Sequence, residues 1–242
     1  MPDKRSILIT GVSRGLGLAI ATRIAADGYK VVGMSRNKSE AYQDLISRLP
    51  GQVAFEPLDL SDVDSIAEVA REVTKRSGAI YGLVNNAGVG LDGVLATMRQ
   101  SDIEHAFRTN LLGPITLTKH IMRSMLSKGE GRIVNVSSIV ASTGFHGLSV
   151  YAATKAGLEG FTRSLSREAG KRNITVNCVA PGYMETEMMA GLPTDKLESA
   201  RRRAPLGLPH PEHVAAAISY LLRPEACTVT GTVLTVDGGG SA

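Results

Sequence analysis

The chain has 242 residues, of which 43% are hydrophobic, and a formal net charge of +4. That length and composition suffice for one sizeable core, and we expect a single domain over residues 1–242. The apolar runs are too short for a signal-peptide core or a membrane span, which predicts a cytoplasmic protein without membrane contact. Basic residues are scattered apart from Arg201–Arg203, Trp is absent and only 4% of residues are aromatic. These features favour a small anionic ligand over nucleic acid as the partner.

Cysteine usage gives no sign of a metal or redox centre. Cys178 and Cys227 lie in apolar stretches and far apart in sequence. A metal-binding or redox pair usually brings two cysteines close together in sequence. We therefore expect two buried free thiols and no metal site.

Short β-branched runs alternate along the chain with segments that carry apolar residues at helical spacing. The predicted strands are Ile7–Ile9, Lys30–Met34, Val53–Glu56, Gly82–Val84, Arg132–Val136, Thr175–Val179 and Val233–Val236. The predicted helices include Leu16–Asp27, which Gly28 ends, Asp62–Arg76, Asp102–Met125, Val150–Arg167 and Pro211–Leu222. Strands that alternate with helices form parallel βαβ units. The pattern therefore predicts an α/β Rossmann fold, a doubly wound seven-stranded parallel sheet with helices on both faces.

A glycine-rich segment, Thr10–Gly17, follows the first predicted strand and opens the first helix. Glycines let the backbone approach a phosphate closely, and a helix amino terminus offers it free N–H groups and a partial positive charge. A plain tight turn is the alternative, but the position after the first strand favours a dinucleotide. The predicted phosphate contacts are Gly11, Ser13, Arg14, Gly15, Leu16 and Gly17.

The end of the second strand indicates which dinucleotide binds. It reads Met34-Ser35-Arg36-Asn37, and the next acidic residue is Glu40. A carboxylate there would accept from the ribose 2′-hydroxyl of NAD, whereas an arginine pairs with the 2′-phosphate of NADP. The sequence therefore predicts NADP(H), held by Arg36 and Arg14, with a solvated surface arginine as the alternative for Arg36.

The third and fourth strands end in further candidate contacts. Asp59 either accepts from the adenine amino group or belongs to a helix start capped by Ser61 or Asp62. Small residues after the fourth strand would let the nucleotide lie across the strand end. The alternative for Asn85 is a purely structural role, in which its side chain ties neighbouring strands together. We assign Asp59, Leu60, Asn86, Ala87 and Gly88 to the cofactor site.

Tyr151 and Lys155 are four residues apart and fall on one face of a predicted helix. An adjacent cation stabilises phenolate and brings a tyrosine pKa, ordinarily about 10, towards the working range. Spacing alone favours an ordinary surface pair, because this spacing occurs by chance in many helices. The strand Arg132–Val136, however, delivers Ser138 to the same sheet edge, where its hydroxyl can hold a substrate oxygen.

With these motifs, together with Asn110 and Pro181-Gly182, nearly the whole chain resembles the short-chain dehydrogenase/reductase family. The resemblance implies that Tyr151 exchanges a proton with the substrate oxygen, Ser138 orients that oxygen, and Lys155 lowers the tyrosine pKa and binds the nicotinamide ribose. It further implies that Asn110 bends its helix and holds a water that links Lys155 to solvent. By the same likeness, the nicotinamide contacts are Pro181, Gly182 and, at its carboxamide, Thr186. It also implies a homotetramer, assembled through helices 102–125 and 150–167 and the last strand.

Within the family the chain is most similar to 3-oxoacyl-(acyl carrier protein) reductases, through Asn85–Gly88, Val176–Gly182, Pro205–Gly207 and Val236–Gly239. This likeness implies reduction of a carbonyl substrate, a 3-oxoacyl thioester carried on acyl carrier protein or CoA. Leu148 and Val150 stand where that subgroup usually has Gln and Asn. That subgroup also often has a basic residue before the strand that begins Gly-Arg-Ile, and this chain has Gly129 there. Reduction of another ketone, or oxidation of another secondary alcohol, is therefore the alternative, and a non-catalytic NADP(H) sensor is the distant one.

The substrate side of the predicted site has fewer markers. His146 and Tyr183 flank the expected pocket and are candidate substrate contacts. Residues 182–210 show weak periodicity after a strand end, which predicts a mobile loop over the substrate. Lys128 and Arg172 are candidate contacts for an acidic carrier, although exposed basic residues on helices are usually only solvated.

Overall fold

A computed structural model describes residues 5–184 and 194–242 of the chain. Seven parallel strands form one sheet in the order β3-β2-β1-β4-β5-β6-β7. The strands are β1 (Ser6–Thr10), β2 (Lys30–Ser35), β3 (Val53–Pro57), β4 (Ile80–Asn85), β5 (Gly131–Val136), β6 (Ile174–Pro181) and β7 (Val233–Val236). All seven predicted strands and the doubly wound fold class are confirmed.

Helices cover both faces of the sheet. They are α1 (Gly15–Ala26), α2 (Glu40–Arg48), α3 (Ile66–Ser77), α4 (Gln100–Phe107), α5 (Gly113–Lys128), α6 (Val140–Thr143), α7 (Ser149–Ala169), α8 (Thr194–Arg203) and α9 (Pro211–Leu222). Within the described part of the chain, no helix combines the length and the apolar character needed to cross a membrane.

The core consists of two apolar layers, one on each side of the sheet. Ile7 and Ile9 of β1 pack into the layer that includes α1 and α9, whereas Leu8 between them packs into the layer that includes α3 and α5. Because both faces are covered, every residue of β1, β4, β5 and β6 is buried. Each large aliphatic side chain buried in this way stabilises the fold by about 1.5–3 kcal/mol. The continuous apolar strand patterns follow from this two-sided burial.

Helix boundaries differ from the prediction at three places. The predicted helix Asp62–Arg76 begins at Ile66, because Asp59 accepts hydrogen bonds from Ser61 and the chain turns there before the helix starts. Helix α2 was not among the predicted elements; its Ser39 cap and buried Tyr42 were the available signals. The predicted helix Asp102–Met125 is divided by a π-helical turn, Arg108–Leu112.

Two predictions about individual segments also need correction or qualification. Cys178 is buried as expected, but Cys227 is exposed, because it follows the short turn Pro224–Ala226 at the surface. The segment predicted as a loop, 182–210, contains α8. Residues 185–193 of that segment lie outside the described residues.

Candidate active site

A cleft of about 1210 Å³ lies at the carboxyl edge of the sheet. Parallel strands place their following loops along this edge, and the loops after β1 to β6 all contribute to the lining. The volume exceeds that of a typical small-molecule pocket and accommodates a dinucleotide together with a substrate. The predicted residues that line it are Gly11, Ser13, Arg14, Gly15, Leu16, Gly17, Arg36, Asp59, Leu60, Asn86, Ala87, Gly88, Ser138, His146, Tyr151, Lys155, Pro181, Gly182 and Tyr183.

The glycine-rich loop folds tightly between β1 and α1. A Cβ on Gly17 would lie 1.9 Å from the Gly11 carbonyl oxygen, and one on Gly11 would lie 2.8 Å from Ala87 Cα. Gly11 also has a φ of +76°, a conformation that favours glycine. The Asn86 side chain ties β4 to this loop, since its Nδ2 donates to the Thr10 carbonyl at 2.9 Å. The first residues of α1 also line the cleft, and a helix amino terminus at such a position suits an anion such as a phosphate.

Tyr151 and Lys155 lie on the first turns of α7 and line the cleft. Lys155 is 3% exposed, and its Nζ donates to the Val136 carbonyl oxygen at 2.8 Å. The same Nζ lies 5.7 Å from the centre of the Tyr151 ring. The half-buried Ser138 follows β5 and hydrogen-bonds Tyr151. The helical spacing within α7 thus brings the Tyr151 phenol and the Lys155 ammonium together. The strand β5 places Ser138 beside them.

Burial controls the protonation of both groups. The pKa of Tyr151 is raised, not lowered as predicted, because burial outweighs the Ser138 hydrogen bond that opposes the rise; the neighbouring Tyr183 reinforces it. Burial lowers the pKa of Lys155 to about 8. At neutral pH the site therefore contains a protonated phenol beside a lysine that is still mostly charged. This is the state in which a tyrosine can donate a proton.

Asn110 lies behind the cleft wall, in the π-helical turn between α4 and α5. It is fully buried; its Oδ1 accepts from the Val89 N–H at 2.8 Å, and its Nδ2 donates to the Val89 carbonyl at 2.9 Å. Nδ2 also lies 3.3 Å from the hydroxyl of Thr154, the residue before Lys155. The helix is irregular at Asn110, as the sequence predicts, and the amide braces the strand end beside the lysine.

Gly88 separates Asn110 from Lys155. A Cβ at Gly88 would lie 3.2 Å from Asn110 Oδ1 and 3.4 Å from Lys155 Nζ. The absence of a side chain at Gly88 therefore keeps the space in front of the lysine open. Thr186, the remaining predicted contact, lies outside the described residues.

Comparison with known proteins agrees with this geometry. A family model described as enoyl-(acyl carrier protein) reductase matches residues 11–241. The 3-oxoacyl-[acyl-carrier-protein] reductase FabG of Vibrio cholerae is 39% identical over 233 residues, which cover 96% of this chain and 95% of that protein. Carbonyl reductase family member 4 of Danio rerio is 42% identical over 237 residues, 97% of each chain. The chain belongs to the short-chain dehydrogenase/reductase family.

A solved structure extends the likeness from sequence to fold. The crystal structure of an actinorhodin polyketide ketoreductase variant with NADPH has a TM-score of 0.91 and 31% sequence identity. The match covers all of this chain and 98% of that one. This short-chain dehydrogenase/reductase is therefore an oxidoreductase, and its family uses nicotinamide cofactors.

The cleft around Asp59 contains residues that the sequence did not predict. Burial would raise the pKa of Asp59, but two hydrogen bonds from Ser61 and the charges of Arg36 and His105 outweigh it and hold that pKa below its usual range. His105 and Thr109, one helical turn apart, line the cleft with Asp59. The Thr109 hydroxyl is buried and lacks a hydrogen-bond partner among the described residues. The four-residue spacing of His105 and Thr109 within one predicted helix was a sequence signal for this pair.

The Asn85 side chain connects elements of the fold. Its Nδ2 donates to Asn135 Oδ1 at 2.8 Å and to Thr118 Oγ1 at 2.9 Å. These bonds join β4 to β5 and to α5 beneath the cleft. Of the two roles considered for Asn85–Gly88, strand bridging thus describes Asn85, while Asn86, Ala87 and Gly88 line the cleft.

Proposed function

We propose that this reductase uses NADPH to reduce a ketone, most simply a 3-oxoacyl thioester, to a secondary alcohol, with Tyr151 as the proton donor. The observation that carries the proposal is the convergence of Ser138, Tyr151 and the buried Lys155 in one cleft with a phosphate-binding loop.

The residues fit NADPH at three points. The loop around Gly11 and Gly17 forms a cradle that any side chain would fill, which suits a pyrophosphate against the start of α1. Arg36 and Lys38 line the cleft after β2, where a 2′-phosphate needs positive charge. The buried Thr109 hydroxyl is a further polar group for the nucleoside. When bound, NADPH supplies the hydride, and the chain supplies alignment and the proton.

Ser138, Tyr151 and Lys155, which line the cleft, carry out the proton transfer. Ser138 and Tyr151 bind the ketone oxygen, and the Tyr151 phenol donates its proton as the alcohol forms. The Lys155 cation stabilises the phenolate that remains. Asn110 holds the strand end beside Lys155 in place, where a bound water would connect the lysine to solvent.

Two findings bear on the substrate. The relative from Vibrio cholerae is a 3-oxoacyl-[acyl-carrier-protein] reductase, and the one from Danio rerio is a carbonyl reductase. The first supports a thioester substrate and the second keeps other ketones as an alternative.

Arg172 donates to the Leu126 carbonyl at 2.7 Å and so stabilises the end of α5. That bond leaves Lys128 as the better candidate for contact with an acidic carrier.

The test follows NADPH oxidation at 340 nm with acetoacetyl-CoA beside simple ketones, repeated with NADH. We expect thioester turnover with a preference for NADPH. Tyr151→Phe should reduce turnover by roughly 10²–10⁴-fold, while NADPH binding, measured by nucleotide fluorescence, stays unchanged. Activity on simple ketones alone would reject the thioester. A Tyr151→Phe variant that keeps half of the wild-type turnover would reject the proton donor, and inactivity on every substrate would favour a cofactor sensor.

A further inference from the structure

Tyr183 places a second phenol at the reacting end of the cleft. It follows the carboxyl end of β6 and borders both the main cleft and a separate cavity of about 40 Å³. Its ring packs edge-on against Phe145, with ring centres 5.6 Å apart. The hydroxyl oxygen is buried, and none of residues 5–184 and 194–242 hydrogen-bonds it. A buried polar atom of this kind calls for a ligand or a water as its partner.

The surroundings of Tyr183 keep it protonated. Burial raises the pKa of the Tyr183 phenol; Arg203 opposes that rise, and Asp92 reinforces it. At neutral pH the hydroxyl is therefore a hydrogen-bond donor. Tyr183 also lies close enough to Tyr151 to raise the pKa of the Tyr151 phenol. Tyr151 and Tyr183 thus line the same cleft, although a lone ketone oxygen is already served by Ser138 and Tyr151.

We propose that the Tyr183 hydroxyl donates a hydrogen bond to a second substrate oxygen, close to the carbonyl that Ser138 and Tyr151 hold. A 3-oxoacyl compound has such an oxygen on its ester or thioester carbonyl, and a simple ketone has none. Tyr183 is then a substrate-binding residue that selects 1,3-dicarbonyl compounds. This inference rests on the proposed ketone reduction and specifies its substrate class.

The experiment compares two substrates that differ at one carbonyl. Ethyl acetoacetate has the second oxygen, whereas 4-ethoxybutan-2-one has a methylene in its place. Tyr183→Phe removes only the hydroxyl and keeps the ring contact with Phe145. Tyr220→Phe, at an exposed tyrosine of α9, is the matched control. The readouts are kcat and KM for each ketone and the Kd for NADPH from nucleotide fluorescence.

We expect Tyr183→Phe to lower kcat/KM for ethyl acetoacetate by roughly three- to tenfold, the effect of one hydrogen bond, mainly through KM. Turnover of 4-ethoxybutan-2-one and the Kd for NADPH should change by less than about twofold, and Tyr220→Phe should change nothing.

Equal losses on both ketones would overturn the inference, because the hydroxyl would then serve every ketone alike. Unchanged kinetics on both would also overturn it and would assign the hydroxyl to a water in the small cavity. A wild-type enzyme that reduces neither ketone would instead overturn the proposed function, and the inference with it.

Discussion

Replacing Lys155 with methionine should abolish ketone reduction and at the same time stabilise the fold. The ammonium is 3% exposed, and burial lowers its pKa from 10.5 to about 8. At pH 7 the cost of keeping it charged inside the protein is therefore about 3 kcal/mol relative to the unfolded chain. Methionine has a similar shape and no charge. It leaves the Val136 carbonyl without its donor, which costs about 1 kcal/mol. The expected net gain is about 2 kcal/mol.

The stability difference between Lys155→Met and wild type should decrease as the pH rises. The folded-state pKa of Lys155 is lowered, so its destabilising effect is fully present below about pH 8 and disappears as the pH rises to 10.5. Urea unfolding of both proteins at pH 7 and pH 9.5 measures the effect. The advantage of the variant should shrink from about 2 kcal/mol to under about 1 kcal/mol at the higher pH. Lys119→Met, at an exposed lysine of α5, is the control and should show no such change. A Lys155→Met protein less stable than wild type at pH 7, with the same difference at pH 9.5, would refute the reasoning.

Three further predictions concern the cofactor site and assembly. Arg36→Asp should weaken NADPH binding by roughly 10- to 100-fold while NADH binding holds or improves; an unchanged ratio of the two Kd values would remove Arg36 from the site. Gly17→Ala should abolish binding of both nucleotides, because its Cβ meets the Gly11 carbonyl at 1.9 Å, and full NADPH affinity in that variant would contradict the cradle. We also propose a homotetramer, supported by the exposed apolar side chains of Phe107, just before the π-helical turn, and Leu112, its last residue, which are 39% and 46% exposed. Light scattering should report four chains in wild type and fewer in Leu112→Lys, and a monomeric wild type would reject the assembly.

Local patterns predicted much of the fold and the site. The seven strands were predictable because two-sided burial makes each one a short, nearly continuous apolar run. The glycine-rich loop after β1 was recognisable because its glycines and the following helix are adjacent in sequence. Tyr151 and Lys155 were recognisable for the same reason, since one helical turn joins them.

Features that depend on distant segments were not predictable in this way. The exposure of Cys227 follows from how the turn after α9 meets the surface, although the residue before it, Ala226, is apolar and buried. His105 reaches Asp59 only because the helix that carries it packs beside the loop after β3. No local spacing encodes either arrangement.

By itself, the sequence determined the fold class, the glycine-rich loop after β1 and the residues that we assign to proton transfer, because each depends on neighbours within a few residues. Only the tertiary structure decided the electrostatic state of those groups. Lys155 has a pKa of about 8 because the sheet and α7 together exclude water from it. The Tyr183 hydroxyl is buried without a partner among the described residues because β6, α6 and α8 converge on it. Burial is the sum of contacts from the whole fold, and no single segment specifies it.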